Sequence, residues 1–377
     1  MNILIIGGGL QGLSCASSLY KEHRVLAVDH GLQTSHCRFY DKVFDLSYAE
    51  GERLIDLIKS EKVDVVIPVS DMNVPYISQH KTEIEAQTGC KVAVPDYDKV
   101  YQVEDKSRFM EFCKNNGVPH PVTIKLPSAS QLSTISSQLS PNDFPALIKP
   151  DFSVGARGIT MVNSIEELEE KYPAVNETFG TCTLQEFIDN KEYYYNVMLY
   201  RNADGEFLAY TIMKIVRMYP ISAGSSSCCI TVENNELLDI CKDCLNKLDW
   251  VGMADFDVLQ RLDNGEYKVI EINARVPASL KAAEISGVNF PEIIAKDAMG
   301  LSVPSYEYRS GRIMRYLGID IMWLLKSPNR FHSKPCWLSF FGKNIYYQDI
   351  YKSDSSTWWT WLAEGVCKLG RRNKKLR

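Results

Sequence analysis

Short apolar runs alternate with amphipathic stretches over roughly the first 95 residues of this 377-residue chain. The runs have the length and branched apolar composition of buried strands, and the stretches between them carry apolar residues at helical spacing. Strands are predicted over residues 2–6, 24–28, 63–69 and 91–94, and helices over residues 13–20, 51–60 and 77–87. Strands and helices in this rhythm favour a small doubly wound parallel sheet of the α/β class.

The middle of the chain predicts a helix followed by a hairpin with a long loop. The predicted helix covers residues 101–116 and carries Asp105 and Lys106 near its start. A strand over 144–149 then ends at Lys149, and a loop of small residues leads to a second strand at 159–162. A lysine at the base of such a loop suits a lid whose backbone N–H groups close over phosphates. The alternative is a plain hairpin with a long loop.

A second predicted hairpin places charged residues on one face of a sheet. Its strands cover residues 253–260 and 267–273 and are joined by an Asn-Gly turn. Because alternate residues of a strand share a face, Glu271, Asn273 and Arg275 point to one side. Pairing across the turn brings Asp257 near them. Hard oxygen ligands beside a guanidinium suit Mg²⁺ and phosphate, and an ordinary exposed face with an ion pair is the alternative.

The first strand runs into a glycine-rich turn. Gly7, Gly9 and Gly12 have the spacing of a dinucleotide-binding turn, and Asp29 follows roughly 20 positions later. The motif alone predicts an NAD(P)-dependent oxidoreductase. It is weakly specific, because any glycine-rich turn that presents N–H groups at a helix start will hold an anion. The oxidoreductase hypothesis also leaves the lysine at 149 and the acidic hairpin without a role.

Composition excludes several classes of protein. With 45% hydrophobic and 24% charged residues the chain is typical of globular proteins. The net charge of -5 provides no field that would attract nucleic acid. No apolar run reaches the ~18 residues needed for a transmembrane segment. The 11 cysteines are scattered without a disulfide framework, which predicts a reducing, cytoplasmic location.

Two further regions carry candidate chemistry. A basic strand runs into a Gly/Ser loop at residues 214–227, where Arg217 could clamp a substrate carboxylate or pair with a surface acid. The last part, residues 305–377, is aromatic-rich and ends in a basic run. A cap that completes the substrate pocket is the favoured interpretation of this part. The alternative is a tryptophan-flanked basic tail that touches anionic lipid or a partner.

These parts, in this order, resemble the ATP-grasp superfamily. The resemblance rests on Asp105-Lys106, Lys149 with its loop, Glu186 followed by Glu192, Asp257, and the Glu271, Asn273 and Arg275 run. It is nearest to the carbamoyl-phosphate-synthase-like and pyrrolysine-pathway amino-acid ligase branches, and it covers roughly residues 2–301. It implies a Rossmann-like pre-ATP-grasp domain at 1–95, a two-part ATP-grasp domain at 96–304 with its lid at about 119–185, and a C-terminal extension at 305–377.

The resemblance also implies a role for each matching residue. Lys106 and Lys149 would contact ATP phosphates, and Arg275 would steady the transferred phosphoryl group. The lid would use Ser153, Gly155, Arg157 and Gly158, and the nucleoside would contact Glu186, Phe187, Ile188 and Glu192. The metal ligands would be Asp257, Glu271 and Asn273. Asp255 lies two residues from Asp257 on the same face, so the choice between these two ligands stays open.

The activity implied is that of a carboxylate–amine ligase. ATP, with Mg²⁺ or Mn²⁺, would phosphorylate a carboxylate, and an amine would capture the acyl phosphate to give an amide, ADP and phosphate. An amino acid is the expected substrate, and a sugar acid or another larger carboxylate is the alternative. A nucleotide-binding module without catalysis is a third hypothesis. The implied partners are small molecules, and related enzymes are commonly dimers, which makes a homodimer the expected assembly.

Overall fold

The computed structural model of the chain describes residues 1–153, 157–190, 194–221, 224–357 and 359, with residues 32 and 33 described in their backbone only. Within these residues, three sheets of five, four and seven strands form the scaffold. The mixed α/β fold class predicted from the sequence is confirmed. Among the described residues, no helix combines the length and apolar character needed to cross a membrane.

The N-terminal sheet is fully parallel. Its strands are β1 (Asn2–Ile6), β2 (Arg24–Val28), β3 (Lys42–Phe44), β4 (Val65–Pro68) and β5 (Lys91–Val92). The helices of this part are α1 (Gly9–Leu19), α2 (Leu32–Ser35), α3 (Gly51–Ser60), α4 (Asn73–Gln79) and α5 (Lys81–Thr88). The strand order is β3-β2-β1-β4-β5. The chain adds β2 and β3 on one side of β1 and then β4 and β5 on the other, so the order of addition reverses between β1 and β4. In such sheets a ligand crevice opens beyond the carboxyl ends of the strands at this point.

A smaller sheet follows two helices. The elements are α6 (Tyr97–Glu104), α7 (Lys106–Asn116), β6 (Thr123–Lys125), α8 (Ser133–Ser136), β7 (Ala146–Pro150), β8 (Thr160–Val162), α9 (Ile165–Phe179) and β9 (Cys182–Glu186). The four strands pair antiparallel in the order β6-β9-β7-β8. Their apolar face packs on α9 through a separate cluster that includes Ile148, Leu168 and Tyr172. The four-stranded sheet therefore has an apolar core of its own.

Asp105 divides the helix that the sequence predicts over 101–116. Its backbone is extended, with φ −76° and ψ 105°, and its carboxylate accepts a hydrogen bond of 3.1 Å from the backbone N–H of Arg108. An aspartate in this position satisfies one of the free N–H groups of a helix start. The prediction of one continuous helix is therefore wrong, and Lys106 becomes the first residue of α7.

The largest sheet holds the second predicted hairpin and extends to the C-terminal part. Its elements are β10 (Tyr194–Arg201), β11 (Phe207–Tyr219), β12 (Ser225–Thr231), α10 (Asn235–Leu248), β13 (Gly252–Gln260), β14 (Tyr267–Asn273), α11 (Lys281–Ile285), α12 (Phe290–Ala298), β15 (Ile313–Arg315), α13 (Leu317–Lys326) and β16 (Ile345–Tyr347). The strand order is β14-β13-β10-β11-β12-β15-β16. Because β15 and β16 complete this sheet, the region predicted as a cap shares a sheet with residues before 304, and the domain limits stay predictions.

The N-terminal and largest sheets share their apolar packing. One cluster joins Leu4 and Val66 of the first sheet to Val197 and Phe256 of the largest sheet. A second cluster joins Ile5 and Ile67 to strands of the same two sheets and to α12. The N-terminal sheet therefore packs against the part of the chain that carries the β13–β14 hairpin.

Candidate functional site

The β13–β14 hairpin brings its acidic residues together. Asp257 lies opposite Glu271, and Asp255 lies opposite Asn273. The register shifts after Asp257, so that Val258 lies opposite Val269 and Ile270 is the extra residue of a β-bulge. Such a bulge re-aims the side chains beside it, and bulges are common next to active sites.

Asp257 is half-buried and lies among polar partners. The hydroxyl of Tyr194 donates to its Oδ1 at 2.8 Å, and Nδ2 of Asn196 donates to the same oxygen. Burial and the neighbouring Glu271 carboxylate raise the pKa of Asp257 to about 7. The cause is that two negative charges in a low-dielectric site disfavour each other's ionised forms.

Asp255 lies deeper than Asp257 and is 3% exposed. Its Oδ1 has no hydrogen-bond partner among the residues that the structure describes. Burial, followed by the charge of Asp257, raises the pKa of Asp255 well above its ordinary value. Buried carboxylate oxygens in excess of nearby cations are the donor set that a Mg²⁺ ion prefers. The residues present therefore fit the predicted metal, and both aspartates stay candidate ligands.

Arg275 links this hairpin to the crevice of the N-terminal sheet. Its Nη2 donates to Oδ1 of Asn273 at 3.2 Å, and its Nε pairs with Oδ1 of Asp71. Asp71 follows the carboxyl end of β4, beside the point where the strand order reverses. Glu104 lies close by, and burial together with Asp71 raises the pKa of Glu104 to about 7. The crevice and the acidic hairpin therefore form one continuous site.

Two lysines bring positive charge to the same place. Lys149 is the last residue but one of β7, and its Nζ donates to Oε1 of Gln185 at 3.0 Å. Burial lowers the pKa of Lys149, the charge of Glu271 opposes that shift, and Lys106 reinforces it. Lys106 itself begins α7, and its Nζ donates to the backbone carbonyl of Ser153 at 3.2 Å. Lys149 thus lies within electrostatic reach of Asp257 and Glu271, and Lys106 lies within reach of Lys149 and Glu104.

Main-chain hydrogen bonds connect the end of β9 to two neighbouring segments. The Glu186 N–H bonds to the Val122 carbonyl at 2.8 Å, and the Phe187 N–H bonds to the Pro145 carbonyl at 3.2 Å. The Glu186 carboxylate accepts from the Val122 N–H at 3.0 Å and pairs with Arg261. Val122 and Arg261 therefore hold the Glu186 carboxylate in this structure. The contact of residues 186–188 with the nucleoside stays a prediction.

A model of the ATP-grasp domain matches residues 103–279. These residues, a little under half of the chain, form an ATP-grasp domain. The matched range begins before Lys106 and ends beyond Arg275, so it contains both lysines and the acidic hairpin. The resemblance inferred from the sequence is confirmed.

Curated relatives cover part of the chain. A carbamoyl phosphate synthase large chain from Methanothermobacter thermautotrophicus is 26% identical over 263 residues, which are 67% of this chain and 24% of the relative. A D-aspartate ligase from Enterococcus faecium is 25% identical over 254 residues, which are 63% of this chain and 59% of the relative. The chain therefore spans about a quarter of the first relative's length and less than two thirds of the second's.

Solved structures share the fold. A biotin carboxylase from Campylobacter jejuni superposes with a TM-score of 0.69 at 16% identity, covering 83% of this chain and 74% of that chain. An N5-carboxyaminoimidazole ribonucleotide synthetase from Thermotoga maritima gives a TM-score of 0.61 at 23% identity, with coverages of 81% and 78%. At these identities the likeness supports the ATP-grasp fold alone.

The lid residues predicted from the ATP-grasp resemblance are placed in part. Gly158 has φ +80°, and a Cβ there would come within 2.7 Å of Pro150 Cγ and 2.8 Å of Phe179. Glycine is needed at this turn for both reasons. Arg157 is exposed beside it. Gly155 and Glu192 lie outside the described residues.

Arg217 does not reach the ATP-grasp site. Its guanidinium is fully buried and pairs with both oxygens of Asp320, at 2.7 Å from Nε and 2.9 Å from Nη2. Its Nη1 donates to the Pro335 carbonyl at 2.9 Å. The predicted substrate clamp is corrected accordingly, because every nitrogen of this guanidinium is engaged by the C-terminal part of the chain.

The side chain of Asp29 also forms hydrogen bonds within the protein. Its Oδ2 accepts from the Gly31 N–H at 3.1 Å and from the Thr34 hydroxyl. The same oxygen would lie 2.1 Å from a Cβ placed on Gly8. The carboxylate thus covers the turn on which a dinucleotide pyrophosphate would rest, which counts against the oxidoreductase hypothesis.

Four site residues escaped the sequence-based prediction, namely Asp71, Glu104, Tyr194 and Asn196. Asp71 had a usable signal, because it directly follows a predicted strand of a parallel sheet, where ligands bind. Tyr194 and Asn196 occupy alternate positions of β10, and Asn196 lies opposite Asp257. That register could not be known before the strand order of the sheet.

Proposed function

We propose that the chain is an ATP-dependent carboxylate–amine ligase. A carboxylate oxygen attacks the γ-phosphorus of ATP, the bond to the β-phosphate oxygen breaks, and ADP leaves. The amine nitrogen then attacks the acyl carbon, loses a proton, and displaces phosphate to give the amide. The observation that carries the proposal is the arrangement of Asp255, Asp257 and Glu271 against Lys149 and Arg275, with Lys106 beside Lys149, in one partly buried site.

The residues have distinct tasks in this proposal. Asp257, Glu271 and Asn273 would hold Mg²⁺, with Asp255 as the alternative to Asp257. When bound, Mg²⁺ supplies charge neutralisation to the phosphates. Phosphoryl transfer depends mainly on such neutralisation and on positioning, so no covalent nucleophile is needed. The use of Mn²⁺ in place of Mg²⁺ stays a prediction, which is tested by measuring ADP release with each metal.

Lys106 and Lys149 approach the site from the lid side. Lys149 is 5% exposed, and its partner Gln185 fixes it in place. A desolvated ammonium interacts more strongly with phosphate than an exposed one, because the local dielectric is low. Arg275 approaches from the opposite side and is held by Asp71 and Asn273.

The amine would bind in the crevice of the N-terminal sheet. Asp71 and Glu104 contribute carboxylates there, next to Arg275. Paired carboxylates favour an ammonium group, and the guanidinium favours a carboxylate, so an amino acid suits the crevice. The D-aspartate ligase relative supports an amino-acid substrate by its name. A sugar acid or another larger carboxylate is the second candidate.

Asp71→Asn tests the link between the crevice and the reaction centre. Loss of the carboxylate frees Arg275, and we expect kcat/KM for the ligation to fall roughly 10- to 100-fold, the range seen when an orienting partner is removed. ATP affinity should stay unchanged, because Asp71 faces the crevice. Steady-state kinetics and calorimetric titration with ATP measure the two quantities. Asp45→Asn, at an exposed aspartate of the same sheet region, should leave both unchanged.

Trapping by hydroxylamine tests the acyl-phosphate step. Hydroxylamine captures an activated carboxylate as a hydroxamate in the absence of the amine substrate. We expect hydroxamate that requires both ATP and one carboxylate from a panel of amino acids and sugar acids. ADP formation without hydroxamate for every carboxylate tested would overturn the acyl-phosphate mechanism. A homodimer stays a prediction, measured by sedimentation equilibrium.

A further inference from the structure

The C-terminal segment, defined here as residues 317–357, is attached to the largest sheet by its inner side. Asp320 receives hydrogen bonds from Arg217 and from Nε of Arg315 at 2.9 Å. The same two guanidiniums donate outward to the carbonyls of Pro335 and Ser339, at 2.9 and 2.8 Å. One buried ion cluster therefore holds both α13 and the loop that follows it.

Several large apolar side chains of the C-terminal segment are exposed. Trp337 turns inward, and its Nε1 donates to the Asp320 carbonyl at 3.0 Å, whereas the next residue, Leu338, is 70% exposed. Phe331 and Phe341 are 78% and 95% exposed. The exposed apolar residues of this segment are Ile321, Met322, Leu325, Phe331, Leu338, Phe341 and Ile350. Single exposed apolar residues are ordinary, but a series on one anchored segment indicates an interaction surface.

The exposed charge of the same segment is entirely positive. Its acids are Asp320, Asp349 and Asp354, which are 0%, 5% and 1% exposed. Its lysines and arginine, Lys326, Arg330, Lys334, Lys343 and Lys352, are all exposed. The chain as a whole carries a net charge of -5, so the exposed charge of this segment is opposite in sign to the net charge of the chain.

We propose that the exposed apolar and basic side chains of the C-terminal segment bind an anionic lipid surface. Exposed aromatic and aliphatic side chains enter the headgroup region, and flanking cations pair with anionic headgroups. A protein partner fits less well, because lysine is depleted at the centre of protein interfaces. A second copy of this chain fits less well too, because a two-fold contact through this surface would set five cations against five.

Flotation with lipid vesicles tests the proposal on the full chain. We expect binding to phosphatidylcholine vesicles that contain phosphatidylglycerol, and at least about tenfold weaker binding to phosphatidylcholine alone, since each cation near the surface contributes roughly fivefold. Binding should weaken as salt rises. A triple variant, Phe331→Ser with Leu338→Ser and Phe341→Ser, should lose binding to both kinds of vesicle.

Two further variants separate charge from apolar contact. Lys326→Gln with Lys334→Gln and Lys343→Gln should weaken binding to the anionic vesicles by about fivefold for each cation removed. Val251→Ser with Leu301→Ser, at exposed apolar positions elsewhere, should bind like the unaltered chain. We expect unchanged urea midpoints for all variants, because every altered side chain is exposed. Such midpoints will show that the variants fold.

Three outcomes would overturn the proposal. The first is no binding to anionic vesicles by the unaltered chain. The second is binding that survives both triple variants, which would assign it to residues after 359. The third is a dimer in solution that the Phe331, Leu338 and Phe341 variant dissolves, without vesicle binding, which would assign the surface to a second copy of the chain.

Discussion

Asp257→Asn is expected to inactivate the enzyme and to stabilise the metal-free protein. Loss of a metal-binding carboxylate should lower kcat by roughly 10²- to 10³-fold, the range seen when one preorganised charged or polar contact is removed. The amide oxygen of asparagine can still accept the hydrogen bonds from Tyr194 and Asn196. The charge repulsion with Glu271 disappears.

The sign of the stability effect follows from the raised pKa. The pKa of Asp257 rises from 3.8 to about 7 on folding, so between these values the native state holds a proton that the unfolded chain releases. The contribution of Asp257 to the free energy of unfolding therefore falls as pH rises from about 4 towards 7. Above pH 7 the full destabilisation by this ionised carboxylate is present. Urea unfolding at pH 8 without metal should show the variant more stable by on the order of 2 kcal/mol.

Asp243→Asn provides the control for this prediction. Asp243 is an exposed aspartate on α10 that pairs with Lys247, and its loss should change stability by less than about 0.5 kcal/mol. An Asp257→Asn variant that is less stable than the unaltered chain at pH 8 would contradict the buried-repulsion explanation. Added Mg²⁺ should stabilise the unaltered chain and leave the variant nearly unchanged.

Asp320→Ala is expected to destabilise the fold by about 3–5 kcal/mol, because it leaves two buried guanidiniums without a counter-charge. Arg217 and Arg315 are 2% and 1% exposed, so water cannot take the place of the carboxylate. Denaturant unfolding measures the loss. Adding Arg217→Met and Arg315→Met to Asp320→Leu should recover most of it, since apolar residues can replace a buried ionic cluster.

The same series decides between two roles for Arg217. Arg217→Met alone should lower stability while the KM values of the folded protein stay unchanged. A stable Arg217→Met variant with a greatly raised KM for the carboxylate would restore the substrate clamp and contradict the structural assignment.

Patterns within short stretches of sequence predicted those helices, strands and turns that are determined by residues close together in the chain. The second hairpin was identifiable because alternation and an Asn-Gly turn are local signals, and β13 and β14 are observed at Gly252–Gln260 and Tyr267–Asn273. The ATP-grasp resemblance was recognisable for the same reason, since its pieces follow one another along the chain. The division at Asp105 was missed because a cap depends on backbone angles that composition does not reveal.

Contacts between distant residues could not be predicted in the same way. Arg217 and Asp320 are 103 positions apart, and Arg275 and Asp71 are 204 apart. Nothing in the local pattern distinguishes an arginine that binds substrate from one that pairs with a remote acid. The same limit applies to Glu186, whose partner Arg261 lies in another sheet's hairpin turn.

Release of ADP and phosphate is the most direct test of the ligase. The assay uses Mg-ATP with pairs drawn from a panel of amino acids, sugar acids and amines, beside Glu271→Gln and the exposed hairpin control Glu266→Gln. We expect release that requires one carboxylate and one amine, disappears in Glu271→Gln, and persists in Glu266→Gln. Tight ATP binding without release for any pair would contradict the ligase and favour a nucleotide-binding module without catalysis.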